Sequence, residues 1–273
     1  MRSCIKNELS RAFKNRAMYA ALLIGAVIAV AQVVLEVVPV LKYQESGTFT
    51  AFPHTSYEHY MGLKNGSMFA IYYYMFMVVL AAVPFAATAY TDYRSGYLKQ
   101  IFTRSHKKNY YVSKYTAAFF SAGTVAVVPQ ILNFMIVALL LPSIQPYAGI
   151  GYVGLLGDCM WADIYYQNTF LYIVMYWVLD FVVYGCMNML SVALMWFFDN
   201  KFAVLLIPFF FYQILNLSMR FIGKNALMPD SFLRPGQPNL GAEFYEILLI
   251  IAGIVLVCII SCIYGMKKQD YYR

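Results

Sequence analysis

The 273-residue chain is 62% hydrophobic and 12% charged, against about a quarter charged in soluble domains, so most of its surface is expected to be solvated by lipid and no stretch is polar enough for a separate soluble core. Its formal net charge of +7 is of the sign that suits nucleic acid. The Lys and Arg residues, however, fall in short tracts between apolar runs, where they act as topology signals, and no nucleic-acid partner is expected.

Residues 3–16 place Ile5, Leu9, Ala12 and Phe13 on one helical face and Lys6, Asn7, Ser10, Lys14 and Asn15 on the others, the pattern of a short amphipathic helix lying on the inner leaflet. Arg2, Lys6, Arg11, Lys14 and Arg16 then precede a first apolar run, in which Ala29-Val30-Ala31 imitates a cleavage site. That run continues to Leu41, longer than the apolar region of a secretory signal, and is expected to be a retained anchor. Crossing the hydrocarbon takes about 20 apolar helical residues. Six stretches qualify, at about 17–41, 67–90, 112–141, 168–198, 202–220 and 243–265. The expectation is one all-α polytopic domain over residues 1–273.

Orientation follows from the charges between the runs. Fifteen of the twenty Lys and Arg residues fall in the N-terminal segment, the 91–114 loop, the link at Lys201 and the tail, while the opposite loops hold Lys42, Lys64, Arg220, Lys224 and Arg234. The positive-inside rule puts both termini in the cytoplasm of a multi-pass cell-membrane protein.

On the outer side, His54, Glu58 and His59 are residue types that bind metals, but they read as solvated loop residues and no metal site is expected. Tyr147, Tyr152, Trp161, Tyr165 and Tyr166 crowd a loop without Lys or Arg and suit the headgroup zone as an aromatic belt. Gly149, Gly151 and Gly154 have dinucleotide-fingerprint spacing without its strand-turn-helix context, and read as loop glycines. Residues 223–242, with Pro229, Pro235 and Pro238, read as an irregular connection. The five cysteines are scattered except for Cys258 and Cys262, which sit inside an apolar run and suit helix packing. Only Cys159 falls in an outer loop, so no external disulfide is expected.

No glycine-rich loop ending in Lys-Ser or Lys-Thr is present, so the chain is not expected to hydrolyse a nucleotide by itself. No catalytic residue, cofactor or enzymatic activity is assigned to it. Two carboxylates lie within apolar runs, Glu36 and Asp180. A midplane Asp costs roughly 2.5–3.5 kcal/mol on insertion scales and must face protein or water. Asp180, Tyr184, Asn188 and Ser191 share one helical face, and Gln32 with Glu36, and Gln130 with Asn133, repeat the pattern on the first and third runs. Such a face is either a hydrated, substrate-facing path or a set of interhelical hydrogen bonds.

The loop Thr91-Asp92-Tyr93-Arg94-Ser95-Gly96-Tyr97-Leu98-Lys99-Gln100-Ile101-Phe102-Thr103-Arg104 spaces Tyr97, Leu98, Ile101 and Phe102 as a short apolar helical stripe with a basic remainder. The stripe suits either a groove on a soluble partner or a lipid surface.

With these features in place, the chain resembles, over its whole length, the permease subunits of bacterial type 2 ABC transporters, the type V exporter fold. The resemblance rests on the N-terminal segment Ile5-Lys6-Asn7-Glu8-Leu9-Ser10-Arg11, the six runs, and Asp92, Gly96, Leu98, Ile101-Phe102, Arg104, Lys107-Lys108 and Lys114 in the loop between runs two and three. It implies that this loop is a coupling helix seated in a separate ATP-binding subunit, with Asp92, Gly96, Tyr97, Leu98, Ile101, Phe102 and Arg104 at the contact. The family's usual proline after the apolar pair is replaced here by Arg104-Ser105-His106, and Tyr97 stands where threonine is common. The resemblance further implies a second permease subunit, identical or related, ATP and Mg2+ in the partner, and short re-entrant helices between runs five and six, for which 223–242 leaves room only for short ones. The aromatic outer side and apolar runs suit an amphipathic peptide, antibiotic or lipid-like substrate. An ion-coupled secondary transporter using Asp180 and a non-transporting immunity or scaffold component are the other readings.

Overall fold

The computed structural model describes residues 2–45, 54–95, 106–146 and 155–268, and these are all-α, with no strand among them. The α-helices are α1 (Arg2–Phe13), α2 (Arg16–Gln32), α3 (Val38–Glu45), α4 (Ser56–His59), α5 (Met68–Ala82), α6 (Ala86–Arg94), α7 (Lys107–Leu140), α8 (Ala162–Gln167), α9 (Thr169–Leu194), α10 (Lys201–Phe221), α11 (Pro229–Phe232) and α12 (Phe244–Lys268). A π-helical turn, Val33–Val37, joins α2 to α3 without a break.

Five stretches are long and apolar enough to cross a membrane: Arg16–Lys42, Lys108–Leu140, Thr169–Leu194, Lys201–Phe221 and Phe244–Tyr264. The chain is a multi-pass membrane protein. Its outward faces carry large apolar side chains in the open, among them Leu23, Val27, Leu139, Leu249 and Leu256, an arrangement that a lipid solvent stabilises and water does not. Polar caps open these apolar helices. Asn15 accepts from Ala17 N at 3.1 Å, Asn168 from Leu171 N at 3.0 Å and Asn200 from Phe202 N at 3.0 Å, each satisfying an amide that the first turn leaves without a partner.

The run expected to be continuous over 67–90 is instead broken. α5 has 15 residues, about 22 Å at 1.5 Å per residue, and residues 83–85 form a turn before α6. Pro84 is the cause, since it has no amide hydrogen and its ring crowds the preceding turn. The Pro84 carbonyl accepts Asn15 Nδ2 at 3.0 Å, so the residue that caps α2 also satisfies the break.

α9 is the centre of the bundle, packing against α5, α7, α10 and α12. Its closest partner is α7, and the two interlock reciprocally. A Cβ on Gly185 of α9 would lie 2.5 Å from Phe119 of α7, and one on Gly123 of α7 would lie 2.6 Å from Phe181 of α9. Each ring fills a notch that only glycine leaves open, a small-residue device common where lipid gives no hydrophobic drive to association. Gly185→Ala should therefore cost about 1–3 kcal/mol by overpacking, read as a lower melting temperature in detergent. Phe119→Ala placed in the same chain should recover part of the loss, whereas simple additivity would show that the notch does not set the helix spacing.

On α1, Ala12 is buried and Leu9 and Phe13 pack against the core, while Ile5 stays half-buried. The aromatic loop departs from the expected belt. Tyr165 is 4% exposed, with its ring 5.3 Å from that of Tyr172, and Trp161 meets Tyr176 edge-on at 5.6 Å. These rings extend the core, whereas a belt facing headgroups would leave them open; Tyr147 and Tyr152 lie outside the described residues. The connection after α10 is likewise compact. Residues 226, 227 and 231–237 are buried, folded as a short 3-10 turn, Asn225–Leu227, and α11, which packs against α10 and α5.

Candidate functional site

Two polar assemblies stand out against the apolar bundle, one at the end that carries α1 and one near the middle. The first begins with Glu8 and Arg11, one turn apart on α1, together with Asp92 on α6 and Lys114 in the first part of α7. Arg11 grips Asp92 with both ends of its guanidinium, Nη1 to Oδ2 at 2.9 Å and Nη2 to Oδ1 at 2.9 Å, and also reaches Glu8 Oε1 at 3.1 Å. Lys114 Nζ lies 2.5 Å from Asp92 Oδ2 and 2.8 Å from Glu8 Oε2. The Glu8 contact is an ion pair without the direction of a hydrogen bond, since Oε2 has no hydrogen-bond partner among the described residues. Over the ammonium stand the rings of Phe85 at 5.0 Å and Tyr110 at 5.4 Å. The Lys114 side chain is 1% exposed, Glu8 8% and Asp92 9%, so two positive and two negative charges balance with little water between them. Burial pushes the Asp92 carboxyl up, but Arg11 and Lys114 outweigh it and hold the group below the ordinary carboxylate value.

Beside this cluster, Arg94 at the end of α6 pairs with the Asp199 carboxylate, and Tyr90 OH donates to the Asp199 carbonyl. The C-terminal end of α6, the foot of segment 96–105, is thereby tied to α1, to α7 and to the turn between α9 and α10. Asp92, named above among the partner contacts, is turned inward and holds this foot together. Gly96, Tyr97, Leu98, Ile101, Phe102 and Arg104 lie outside the described residues.

The second assembly joins the intramembrane polar residues. Asp180 is fully buried and accepts Gln130 Nε2 at 2.6 Å through Oδ2, while Oδ1 has no hydrogen-bond partner among the described residues. Gln130 Oε1 in turn accepts Tyr60 OH at 3.0 Å and Tyr74 OH at 3.4 Å, and Tyr60 OH accepts Trp177 Nε1 at 2.9 Å. Nearby, Asn133 Nδ2 donates to Gln32 Oε1 at 2.8 Å and to the Ala29 carbonyl at 3.0 Å. Gln32 Nε2 continues to the His59 carbonyl at 3.2 Å and to Glu36 Oε2 at 3.3 Å. Glu36 is closed off by Ser67 Oγ at 2.8 Å and Lys64 Nζ at 3.1 Å.

The face Asp180, Tyr184, Asn188 and Ser191 is entirely buried within the single chain. Tyr184 OH donates to the Tyr74 carbonyl at 2.9 Å and Asn188 Nδ2 to the Ala118 carbonyl at 3.0 Å. Tyr184 and Asn188 thus stitch α9 to α5 and α7, as interhelical hydrogen bonds do. Ser191 Oγ has no hydrogen-bond partner among the described residues. Sequence spacing found this face and the Gln32, Glu36, Gln130 and Asn133 pairs. It missed the α1 cluster, because Glu8, Arg11 and Lys114 are ordinary flanking charges until the fold brings them together.

Between α7 and α12 runs an apolar groove of about 490 Å3, lined by Val112, Tyr115, Phe119 and Phe120 on one side and Val255 and Ile259 on the other, with Lys108 also on its wall. At the far end of the bundle, the expectation of solvated histidines fails for His59, which is 4% exposed.

Compared with protein-family models, curated proteins and solved structures, the chain matches none.

Proposed function

We propose that this chain is the non-catalytic permease subunit of an ATP-driven exporter, working with a second permease subunit and two copies of a separate ATP-binding chain. The observation that carries the reading is the anchored end of α6, the foot of segment 96–105. A segment that receives a push from a soluble partner has to be mounted rigidly on the elements it moves, and here its start is fixed to α1 by a bidentate ion pair and to α7 by a buried one, with an exposed pair reaching the α9–α10 turn. A bidentate Arg–carboxylate pair sets orientation as well as distance, so movement of the loop would be passed to α1 and α7 as one body.

In this reading the second of six spans, about 67–90, is the broken stretch of α5 and the first part of α6, both termini and segment 91–114 face the cytoplasm of the cell membrane, and Tyr97, Leu98, Ile101 and Phe102 form the contact face. ATP binding in the partner biases the permease by favouring one of its conformations. ATP and Mg2+ are held by the partner. The compact 223–242 segment closes the outer side, and the groove between α7 and α12, apolar with a lysine on its wall, supports an amphipathic peptide, antibiotic or lipid-like substrate taken from the bilayer.

The test is purification of the tagged chain from its native membrane in a mild detergent. A soluble chain with a phosphate-binding loop and ATPase activity is expected to co-purify, and Ile101→Asp is expected to release it while the permease stays inserted. If no ATPase accompanies the chain in several mild detergents, the exporter reading falls. Transport abolished by an uncoupler but indifferent to ATP depletion would then assign the work to Asp180, and partner binding with no flux would leave a scaffold or immunity component.

A further inference from the structure

At the end of the bundle opposite α1, residues 54–61 form a tight turn around α4 that is fastened on two sides. Ser56 N donates to the Pro142 carbonyl at 3.0 Å, the hydroxyls of Ser56 and Ser143 are 2.8 Å apart, and Met61 N donates to Asn133 Oδ1 at 3.0 Å. Gln32 of α2 holds the His59 carbonyl at 3.2 Å. Thr55 caps the turn by accepting Glu58 N at 3.3 Å. On this fixed backbone three side chains converge. His54 Nδ1 is 3.2 Å from Glu58 Oε2 and 3.2 Å from His59 Nε2, and His59 Nε2 is 3.4 Å from Glu58 Oε2.

Hydrogen bonds can satisfy only two of the three edges of this triangle at once. A carboxylate brings no proton, and each ring nitrogen is either a donor or an acceptor in the plane of its ring. If one nitrogen carries hydrogen, it can serve both other corners, but those two then face each other as lone pairs. If both nitrogens carry hydrogen, their N–H groups oppose one another. One cation at the centre satisfies all three corners together.

We propose that His54 Nδ1, Glu58 and His59 Nε2 form a three-ligand site for a divalent transition metal, fitted to Zn2+, with its fourth position open to solvent. Bonds of about 2.0–2.2 Å in a tetrahedron set ligand atoms about 3.3 Å apart, which is the spacing of this triangle. Two imidazoles and one carboxylate form a nitrogen-rich set that suits zinc over magnesium or calcium. The His54 and Glu58 side chains are 27% and 25% exposed and His59 is 6%, so an ion enters from one side onto a buried back wall. His59 Nδ1 has no hydrogen-bond partner among the described residues. A histidine lacking an outer partner holds its metal about 10–100-fold less tightly than a supported one, and the site is therefore reversible. Occupancy would brace Tyr60 and Met61, whose contacts with Gln130 and Asn133 lead into the polar assembly of Asp180 and Gln32.

The experiment uses the full chain in detergent, purified on a tag without histidines, stripped with EDTA and titrated with Zn2+ by calorimetry and with Co2+ by visible absorption. One equivalent of Zn2+, a Co2+ spectrum of tetrahedral intensity, and a rise in melting temperature that EDTA reverses are expected. His54→Gln and Glu58→Gln, both at partly exposed positions, should each weaken binding by about tenfold or more with the metal-free melting temperature unchanged. His106→Gln, beyond the other end of α7, should bind as the parent does. Absence of saturable binding, or a His54→Gln chain that binds like the parent, overturns the site.

Discussion

Lys114→Ala is expected to lower the stability of the detergent-solubilised chain by about 3–5 kcal/mol, the loss found when one partner of a buried ion pair is removed. Glu8, Arg11, Asp92 and Lys114 sum to zero charge, and the lysine is the member that water reaches least, at 1% side-chain exposure against 37% for Arg11. Without it, two largely buried carboxylates face a single guanidinium, and the rings of Phe85 and Tyr110 lose the cation they flank. Arg11→Met should cost less, since water can approach its place. Lys114→Met combined with Glu8→Gln restores neutrality and should recover much of the loss, as measured by thermal unfolding in one detergent. Equal damage from the single and the double variant would mean that lost packing, and not unbalanced charge, is responsible. For the proposed exporter the same variant has a second consequence. Loosening the foot of segment 96–105 should reduce substrate-stimulated ATPase activity in the assembled complex by more than it reduces binding of the ATPase.

Gln237→Ala is the second variant with a large expected effect. Gln237 sits in the compact segment between α10 and α12, and its amide acts as a clamp on one residue of a distant loop. Its Oε1 accepts Met160 N at 2.8 Å and its Nε2 donates to the Met160 carbonyl at 2.9 Å, with a further bond to Tyr172 OH at 3.1 Å. The pair reproduces what a strand neighbour would give to Met160, and Met160 is buried. Truncation leaves both backbone groups without these partners, at about 1–3 kcal/mol for each. The backbone of Gln237 has a positive φ of 39°, a region that glycine enters freely and other residues seldom do. Gln237→Gly should therefore be less harmful than Gln237→Ala, although it loses the same hydrogen bonds. The ordering of the two melting temperatures checks this. An alanine variant as stable as the parent would show that the segment is not held by the clamp, and would remove it as a closure of the outer side.

Much of the architecture was legible because membrane helices obey length and polarity rules that act locally. The runs at 17–41, 112–141, 168–198, 202–220 and 243–265 each correspond to a continuous apolar helix. Their caps at Asn15, Asn168 and Asn200 are residue types that favour helix starts. The run at 67–90 did not keep its continuity, because hydropathy averages over a proline whose backbone effect is confined to one turn. The face of Asp180, Tyr184, Asn188 and Ser191 was likewise legible from period alone. Whether it pointed to a path or to neighbouring helices was not, because a polar side chain has the same pattern in either case until its partner is known.

Composition and order by themselves determined that the chain is helical, that most of it is solvated by lipid, and roughly where five long apolar helices lie, since each of these depends on residues within a few turns of one another. Only the tertiary structure decided that α1 lies on protein, that Lys114 closes a four-charge cluster, that Tyr165 belongs to the core, that residues 226–237 fold inward, and that His54, Glu58 and His59 form a triangle. These features join residues up to 171 positions apart, or depend on a few ångströms of side-chain placement, and neither is encoded in local periodicity. The burial of charge follows the same logic. A lysine in the sequence is a surface residue by default, and it becomes a buried one only when the fold supplies two carboxylates within 3 Å.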